Sequence, residues 1–531
     1  MGFKIREIET ECKFSSALTI DALSHAIPAE AITRILAQEA AGEVRERKLT
    51  MSVVVWLVIA LHLYATLSIS AVLGKLARAL RFIWSERAIG LPQASALTYR
   101  RYQLGARPLA ALFQQVCQPI ATAQTRGAFL FGLRLMALDG TTEDVPDTPE
   151  NAAAFGRHTS ARGASAFPQV QAVYLAECGT HVIIDAGFWS CHTSERVGGF
   201  RMLRSLRRGM LVLWDRGFHD FDMIVGARQR GAHVLSRLPS GVKPQRIRTL
   251  PDGSYLAYLY PSEYGRRKRG ERILVRIITY TLTEAALPGY GETHRVLTTL
   301  LNPRLAPAHT LACAYHERWE VEIVIDEIDT HQRLVGRTLR SLKPVGVIQE
   351  LYGVLLAHYA VRVLMHEAAL QADVDPDRLS FVHALEVVRD AVPEFQMVAP
   401  TQVDSLYARL LQDIAAGRLL ERRLRANARV VKRKMSNFKL KRSEHYRPPK
   451  PLGSFRDAVV IQPSSDAPAA VLELPAQSLW LEPALLDLRQ PEHCRICKVL
   501  PLDTAQAEVS QKRACYLSHL ETKLADQQFS A

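Results

Sequence analysis

Cysteine is scarce: eight in 531 residues, at irregular spacing. That excludes a secreted disulfide framework and fits a reducing cytoplasm. The first residues, Met1-Gly-Phe-Lys-Ile-Arg-Glu-Ile-Glu9, lack the apolar core of a secretory signal. No internal repeat is present, which excludes a solenoid. One long run lacks charge, Met51 to Leu73, and it is long enough to cross a bilayer. It carries His62, Tyr64, Thr66, Ser68 and Ser70, and no second span accompanies it. It therefore reads as the buried helix of a helical domain, and no membrane partner is expected. Acidic residues are outnumbered, 53 against 67 Lys and Arg, giving a net charge of +14 and a pI near 9.5. Such a surplus favours a polyanionic partner, although charge alone does not separate nucleic acid from a membrane surface. Hydrophobic content of 48% and charged content of 23% are those of a globular protein. The length calls for about two to four domains.

Residues 1–125 are helical in pattern. Pro28 stands where a helix can begin, and apolar residues follow at helical spacing. A basic amphipathic helix is expected over Leu76 to Trp84. Tyr99, Arg100 and Arg101 suit either a helix lying along a phosphate backbone or a solvated basic face. From Phe129 the period changes. Leu133–Leu138 is a buried-strand pattern ending on Asp139-Gly140-Thr141-Thr142. Strands are expected over Pro168–Leu175 and His181–Phe188, then a helix opened by Thr193-Ser194-Glu195. Gly209–Trp214 reads as a buried strand ending on Asp215-Arg216-Gly217-Phe218. A helix (Phe221–Arg230) and a strand (His233–Leu238) follow. This is the order of an α/β sheet with acids at the ends of two strands, where ligands gather in open sheets.

Residues 241–304 hold short β-type runs at Ser254–Tyr260, Ile273–Tyr280 and Arg295–Leu301, and contain no Trp. Between the first two lies a basic hairpin with Arg266, Arg267, Lys268 and Arg269, whose charge density suits DNA backbone contact. Helices are expected again over Gly346–Leu370 and Arg378–Leu411. Arg418–Lys450, including Lys432, Arg433 and Lys434, holds thirteen Lys or Arg against Glu421 and Glu444, a block that suits nucleic acid. Past Pro451 the chain turns Pro-, Ala- and Leu-rich and reads as a poorly packed tail. Cys494, Cys497, Cys515 and His519 have zinc-like spacing, but ordinary thiols are the favoured reading there.

The stretch Tyr315 to Asp329 has no Gly or Pro and reads as one helix. Tyr315, Arg318, Glu322 and Asp329 would share a face, with Val321, Ile325 and Ile328 as an apolar stripe. Two acids at neighbouring strand ends plus a third on a later helix make a divalent-metal site. Hard carboxylate oxygens suit Mg2+, and two such ions can serve a phosphodiester displacement. Asp139, Asp215 and Glu322 are the residues of that set.

Ala137-Leu-Asp139-Gly-Thr-Thr142, Trp214-Asp215-Arg-Gly-Phe218 and Tyr315-x-x-Arg318-x-x-x-Glu322 resemble the three motifs of DDE transposases of the bacterial insertion-sequence group "IS four". Asp144–Gly156 and Val296–Leu300 add to the resemblance, which spans roughly residues 25 to 450. It implies a multidomain α/β protein: a ribonuclease-H-like mixed sheet with flanking helices, a β-rich insertion and a helical N-terminal domain. The expected divisions are 1–125 (helical, binding DNA ends), 126–240 and 305–370 (catalytic core), 241–304 (insertion), 371–450 (helical and basic) and 451–531 (tail). The resemblance implies Mg2+-dependent cleavage and joining of DNA, with two ions and Mn2+ as a substitute, by a homodimer on transposon inverted-repeat ends and target DNA. It places the protein in the bacterial cytoplasm, associated with the nucleoid. Asp139, Asp215 and Glu322 would bind metal; Tyr315 and Arg318 would contact end DNA. The family has a Lys seven residues after the Glu, where this chain has Asp329, with Lys343 or Arg333 as substitutes for the phosphate contact. Some relatives stack an aromatic of the insertion on a flipped base; Tyr255, Tyr258, Tyr260 and Tyr264 are the candidates. The competing readings are an inactive DNA-binding derivative and a stand-alone metal-dependent nuclease.

Overall fold

The computed structural model describes residues 20–42, 49–77, 92–160, 163–268, 270–284, 287, 290–333, 338–419, 455–463 and 486–487. The N-terminal part is helical: α1 (Ala29–Gln38), α2 (Met51–Leu63), α3 (Ile69–Leu76), α4 (Ala94–Leu104) and α5 (Arg107–Val116). The uncharged run is therefore two helices rather than one. Thr50 caps α2 by accepting from the Val53 N–H, and Ser68 restarts the chain by accepting from the Ala71 N–H. At thirteen residues α2 is about 20 Å long, short of the ~30 Å hydrocarbon core. Most of the basic helix expected at 76–84 lies outside the described residues.

The central sheet follows the expected order: β1 (Leu133–Asp144), β2 (Gln169–Glu177), β3 (Ile183–Ser190), helix α6 (Glu195–Met202), β4 (Met210–Trp214), α7 (Phe221–Gln229) and β5 (His233–Arg237). Four more strands come from the next segment: β6 (Gln245–Thr249), β7 (Tyr255–Leu259), β8 (Arg272–Leu282) and β9 (His294–Thr298). They form no separate sheet. The strand order is β3-β2-β1-β4-β5-β9-β8-β7-β6, so β9 hydrogen-bonds to β5 and carries the others outward. β1 pairs with β4 and β4 with β5 in parallel; the other neighbours are antiparallel. Part of the expected tail joins in, since β10 (Val459–Ile461) pairs with β8.

After the sheet come α8 (Ala308–Ala314), α9 (Trp319–Asp326), α10 (Pro344–Gln371), α11 (Phe381–Met397) and α12 (Val403–Ala416). Helix α10 is apolar all round because it is enclosed all round: α2, α5, α11 and α12 pack on it. Its Gly353 lets α2 approach closely, for a Cβ there would lie 2.7 Å from Val58 Cγ1 and 3.0 Å from the Val58 carbonyl oxygen. One continuous apolar core runs from the N-terminal helices through the sheet to α12.

Two arginines that suited either a DNA-facing helix or a solvated basic face are instead internal. Arg100 donates to the Leu49 carbonyl at 2.8 and 3.0 Å, and Arg101 donates to Ser341 and lies 3.6 Å from Glu350. Both are buried, which leaves Tyr99 as the exposed member of that trio.

Candidate active site

Asp139 differs from the sequence expectation in its setting. It stands inside the twelve-residue β1, not at a strand end or in a turn. Pairing of β1 with β2 continues through Asp144, whereas parallel pairing with β4 stops at Leu138 opposite Trp214. Asp139, within β1, and Asp215, just past the end of β4, are thus the first residues beyond that parallel ladder. Each carboxylate is aimed by a local amide: Asp139 Oδ1 accepts from the Gly140 N–H at 2.9 Å and Asp215 Oδ1 from the Gly217 N–H at 2.6 Å.

The segment expected as one helix is three kinds of helix in series. Tyr315–Arg318 is 3-10, α9 is α-helical, and Glu327–Gln332 is a π-helix. Such changes of pitch recur at functional sites. Val321 and Ile328 are buried and Ile325 packs against the core, as the apolar stripe predicts. Glu322, half-exposed, faces β1. Arg318 ties the set together, donating to Asp139 Oδ2 at 3.0 Å and to Glu322 Oε1 at 2.8 Å. One cationic group therefore already bridges two of the three acids. Burial pushes the Asp139 carboxyl pKa up, the Gly140 N–H and Arg318 pull it down, and Glu322 and Asp215 push it up again; the net direction is upward. The direct effect of Asp215 and Glu322 on Asp139 marks the three as one electrostatic group. Tyr315 sits one turn earlier, packed against the core, and burial drives its hydroxyl pKa well up.

Asp329 lies on the same flank farther along. Arg333 pairs with both Asp329, at 3.3 Å, and the buried Glu143 of β1. Glu143 is four residues from Asp139 on the same strand face, about 13 Å away. Burial and then Glu143 push the Asp329 carboxyl up to about 8. Arg333 is committed to this cluster and buried, whereas Lys343 is exposed, its Nζ 5.4 Å from the Tyr102 ring centre.

A fourth acid, absent from the sequence expectation, belongs to the group. Glu195 opens α6, and the position a Cβ would take on Gly140 is 3.0 Å from its carboxyl group. Burial raises its pKa first, followed by the charges of Asp139 and Asp215. Its only sequence signal was its place at a helix start after the third strand. Beside it opens a concavity of about 440 Å³ lined by His158, Gln171, His192, Glu195, Arg196 and Gly217.

Behind α9 lies a second cluster. His181, whose φ is +62°, sits with its ring 3.1 Å from Asp377 and 3.7 Å from Glu320. These three could meet at one ion. Burial and Arg362 lower the His181 pKa, but Asp377 and Glu327 outweigh them and push it up to about 9. Arg362 Nη2 lies 2.6 Å from His181 Nδ1, so His181 is also part of an ion-pair network around Glu327. Glu327 completes the network through Arg362 and, at 3.1 Å, His358.

The basic segment between β7 and β8 is a helical turn, Glu263–Arg267, and not a plain hairpin tip. Arg267, Lys268 and Tyr264 are exposed; for Arg266 the backbone alone is described, and Arg269 lies outside the described residues. Tyr258 is covered by Arg272 at 4.0 Å, Tyr255 by Arg246 at 5.0 Å, and the Tyr260 hydroxyl donates to Gln245. Lys432, Arg433, Lys434 and the Cys494, Cys497, Cys515 and His519 set lie outside the described residues.

Comparison with known proteins adds independent information. A family model described as insertion element 4 transposase N-terminal matches residues 17–114, and one described as transposase DDE domain matches residues 130–360. Transposase InsG of insertion sequence element IS4 from Escherichia coli (strain K12) is 30% identical over 413 residues, which are 76% of this chain and 90% of that protein. InsZ of the same organism is 30% identical over 221 residues, 40% of this chain and 69% of that protein. Among solved structures, a piggyBac transposase synaptic complex with hairpin DNA aligns over 74% of this chain and 84% of that chain. It does so at 11% identity and a TM-score of 0.36, too distant to support any further argument.

Proposed function

The chain belongs to the IS4 family of DDE transposases, and we propose that Asp139, Asp215 and Glu322 are the acids that give it its activity. As a transposase of this family it acts on DNA and uses a divalent cation. The observation that carries the assignment is the Arg318 bridge: it brings Asp139 and Glu322 to one cationic group while Asp215 stands beside Asp139 across the parallel ladder. A donor set made of carboxylate oxygens fits Mg2+, with Mn2+ as a substitute. When bound, the cation supplies Lewis-acid activation of an attacking oxygen and stabilisation of the leaving one.

The chain's own residues do the rest. Asp139, fixed in the sheet, and Asp215, on the turn after β4, hold the cation side of the reacting phosphate. Glu322 completes the set from α9. Arg318 exchanges its carboxylate partners for a phosphate of the transposon end, and Tyr315 supports that contact from one turn earlier. Exposed Arg267 and Lys268, together with the basic segment 418–450, contribute backbone contacts that are indifferent to sequence. The substrates are the inverted-repeat ends and target DNA, brought together by a homodimer. The chain then divides into an N-terminal end-binding part, a split catalytic core, a β-rich insertion and a basic C-terminal part.

The test uses the full-length protein, DNA carrying the flanking inverted repeats, and Mg2+. Nicking at the element ends followed by joining is the expected result. Asp139→Asn should abolish cleavage by at least about 100-fold while leaving end binding in place, the scale expected when a group that stabilises transition-state charge is lost. Normal cleavage by that variant would overturn the assignment.

A further inference from the structure

We propose that Glu195 is a fourth carboxylate of the divalent-cation site, acting alongside Asp139 and Asp215; the proposal rests on the reading of those two acids as cation ligands. The local sequence explains how Glu195 gets there. Helix α6 carries Gly198-Gly199, and a Cβ on either would collide, at 2.6 Å with Val173 and at 2.8 Å with Phe218. Two adjacent glycines therefore let α6 lie tightly on β2 and on the turn after β4. That approach brings the first residue of the helix over the site.

Two further glycines make the space it occupies. Gly140 directly follows Asp139, and a Cβ there would come within 3.0 Å of the Glu195 Cγ, Cδ and Oε1. Gly217 lies two residues after Asp215, and its Cβ position is 2.9 Å from Asp215 Oδ1 and 3.6 Å from Glu195 Oε2. The Glu195 and Asp215 carboxylates thus flank the same empty point, with Asp139 one residue from the other contact. Gln171 hydrogen-bonds Glu195 from β2 while donating to the Thr141 carbonyl at 3.1 Å, so the carboxylate is held in position.

Charge gives this arrangement its meaning. Carboxylates gathered this closely repel one another unless a cation joins them. Arg318 pairs with Asp139 and Glu322, and Arg196 pairs with Asp220 at 3.5 Å. Four carboxylates would balance two divalent cations, and a ligand from α6 would complete the coordination of whichever ion Asp139 and Asp215 share. The concavity in front of Glu195 leaves that side open to water and to a DNA strand.

A purely structural role is the alternative, because an acid at a helix start also favours the helix dipole. The experiment separates the two. Bound Mn2+ is counted by electron paramagnetic resonance in a titration of the full chain, for wild type, Glu195→Gln, Glu195→Asp and Asp139→Asn, with the metal-free Tm recorded for each. The proposal expects Glu195→Gln to weaken at least one Mn2+ site tenfold or more, with a metal-free Tm equal to or above wild type because a like charge is removed. Glu195→Asp should recover part of the lost binding. Mn2+ binding unchanged in Glu195→Gln but lost in Asp139→Asn overturns this proposal alone. A lowered metal-free Tm with unchanged Mn2+ binding assigns Glu195 to the helix and overturns it as well. Unchanged binding in both variants overturns the cation-site reading itself, and this proposal with it.

Discussion

Replacing Asp329 by Asn tests whether this position has been turned into a protonated structural carboxyl. Its pKa is pushed from an ordinary 3.8 up to about 8, first by burial and then by Glu143, against the pull of Arg333. Folding therefore takes up a proton at any pH between those two values. Where the folded state binds the extra proton, stability falls as pH rises, so wild type should lose stability from about pH 4 to about pH 8 and then level off. The full span would amount to roughly 6 kcal/mol at about 1.4 kcal/mol per pH unit. The Asp329 side chain is 32% exposed and its shift is coupled to neighbouring charge, so solvent screening and coupling reduce this to about 1–3 kcal/mol. Asn mimics the protonated acid and has no proton to lose. The assay is amide hydrogen exchange over residues 141–144 and 327–333, compared between variant and wild type at each pH. The ratio of protection should be near one at pH 5 and rise to about 5- to 150-fold in favour of Asp329→Asn at pH 8.5. A ratio that stays flat with pH, or falls, would refute the reasoning. Asp329→Lys, which restores the residue expected from the family resemblance, should cost stability at every pH because it sets an ammonium against Arg333.

Other perturbations follow from the same structure. Arg318→Ala removes the guanidinium between Asp139 and Glu322, and should lower metal-free stability by about 1–3 kcal/mol and weaken end binding, read by thermal melts and gel shifts. His181 has a pKa raised above its ordinary 6.5, so its contribution is complete below about pH 6.5 and disappears as pH rises through about 9. The Tm gap between wild type and His181→Gln should accordingly be widest near pH 6 and close by pH 10. Gly353→Ala presses a methyl group into Val58 and should cost about 1–3 kcal/mol in denaturant melts without altering the affinity for end DNA.

Much of the fold could be read from periodicity. The run of strands and helices from Leu133 to Arg237 was marked by its apolar patterning and its bounding turns, and it occurs in the expected order. What the pattern could not supply was anything decided by a distant partner. Asp139-Gly140 has the composition of a turn, yet β2 pairs through it and keeps it extended. Arg100 and Arg101 have the composition of a DNA-facing helix, yet they answer a backbone carbonyl and a glutamate from 51 and 249 residues away. Tyr315–Asp329 has the composition of a uniform α-helix, yet its 3-10 start packs on β4 and its π-helical end on α10, and its pitch changes between them. Of the proposed site, Asp139, Asp215 and Glu322 were flagged in the sequence by apolar runs that lead into acids and by helix spacing, although Asp139 stands within its strand and not at its end. Glu195 was not, since its place depends on four glycines that only matter once the sheet and α6 are packed.

Helix α10 has a consequence for how this protein can be taken apart. The two family models cover residues 17–114 and 130–360, as though the chain were a pair of modules. Yet α10, which ends the second, is wrapped by α2 and α5 of the first and by α11 and α12 of neither. Recombination or truncation at residue 120 would leave an apolar groove on one fragment and a naked apolar rod on the other. The N-terminal part is therefore expected to be inherited with its own α10, and chimaeras between relatives should stay soluble when the crossover exchanges residues 20–116 and 344–416 together.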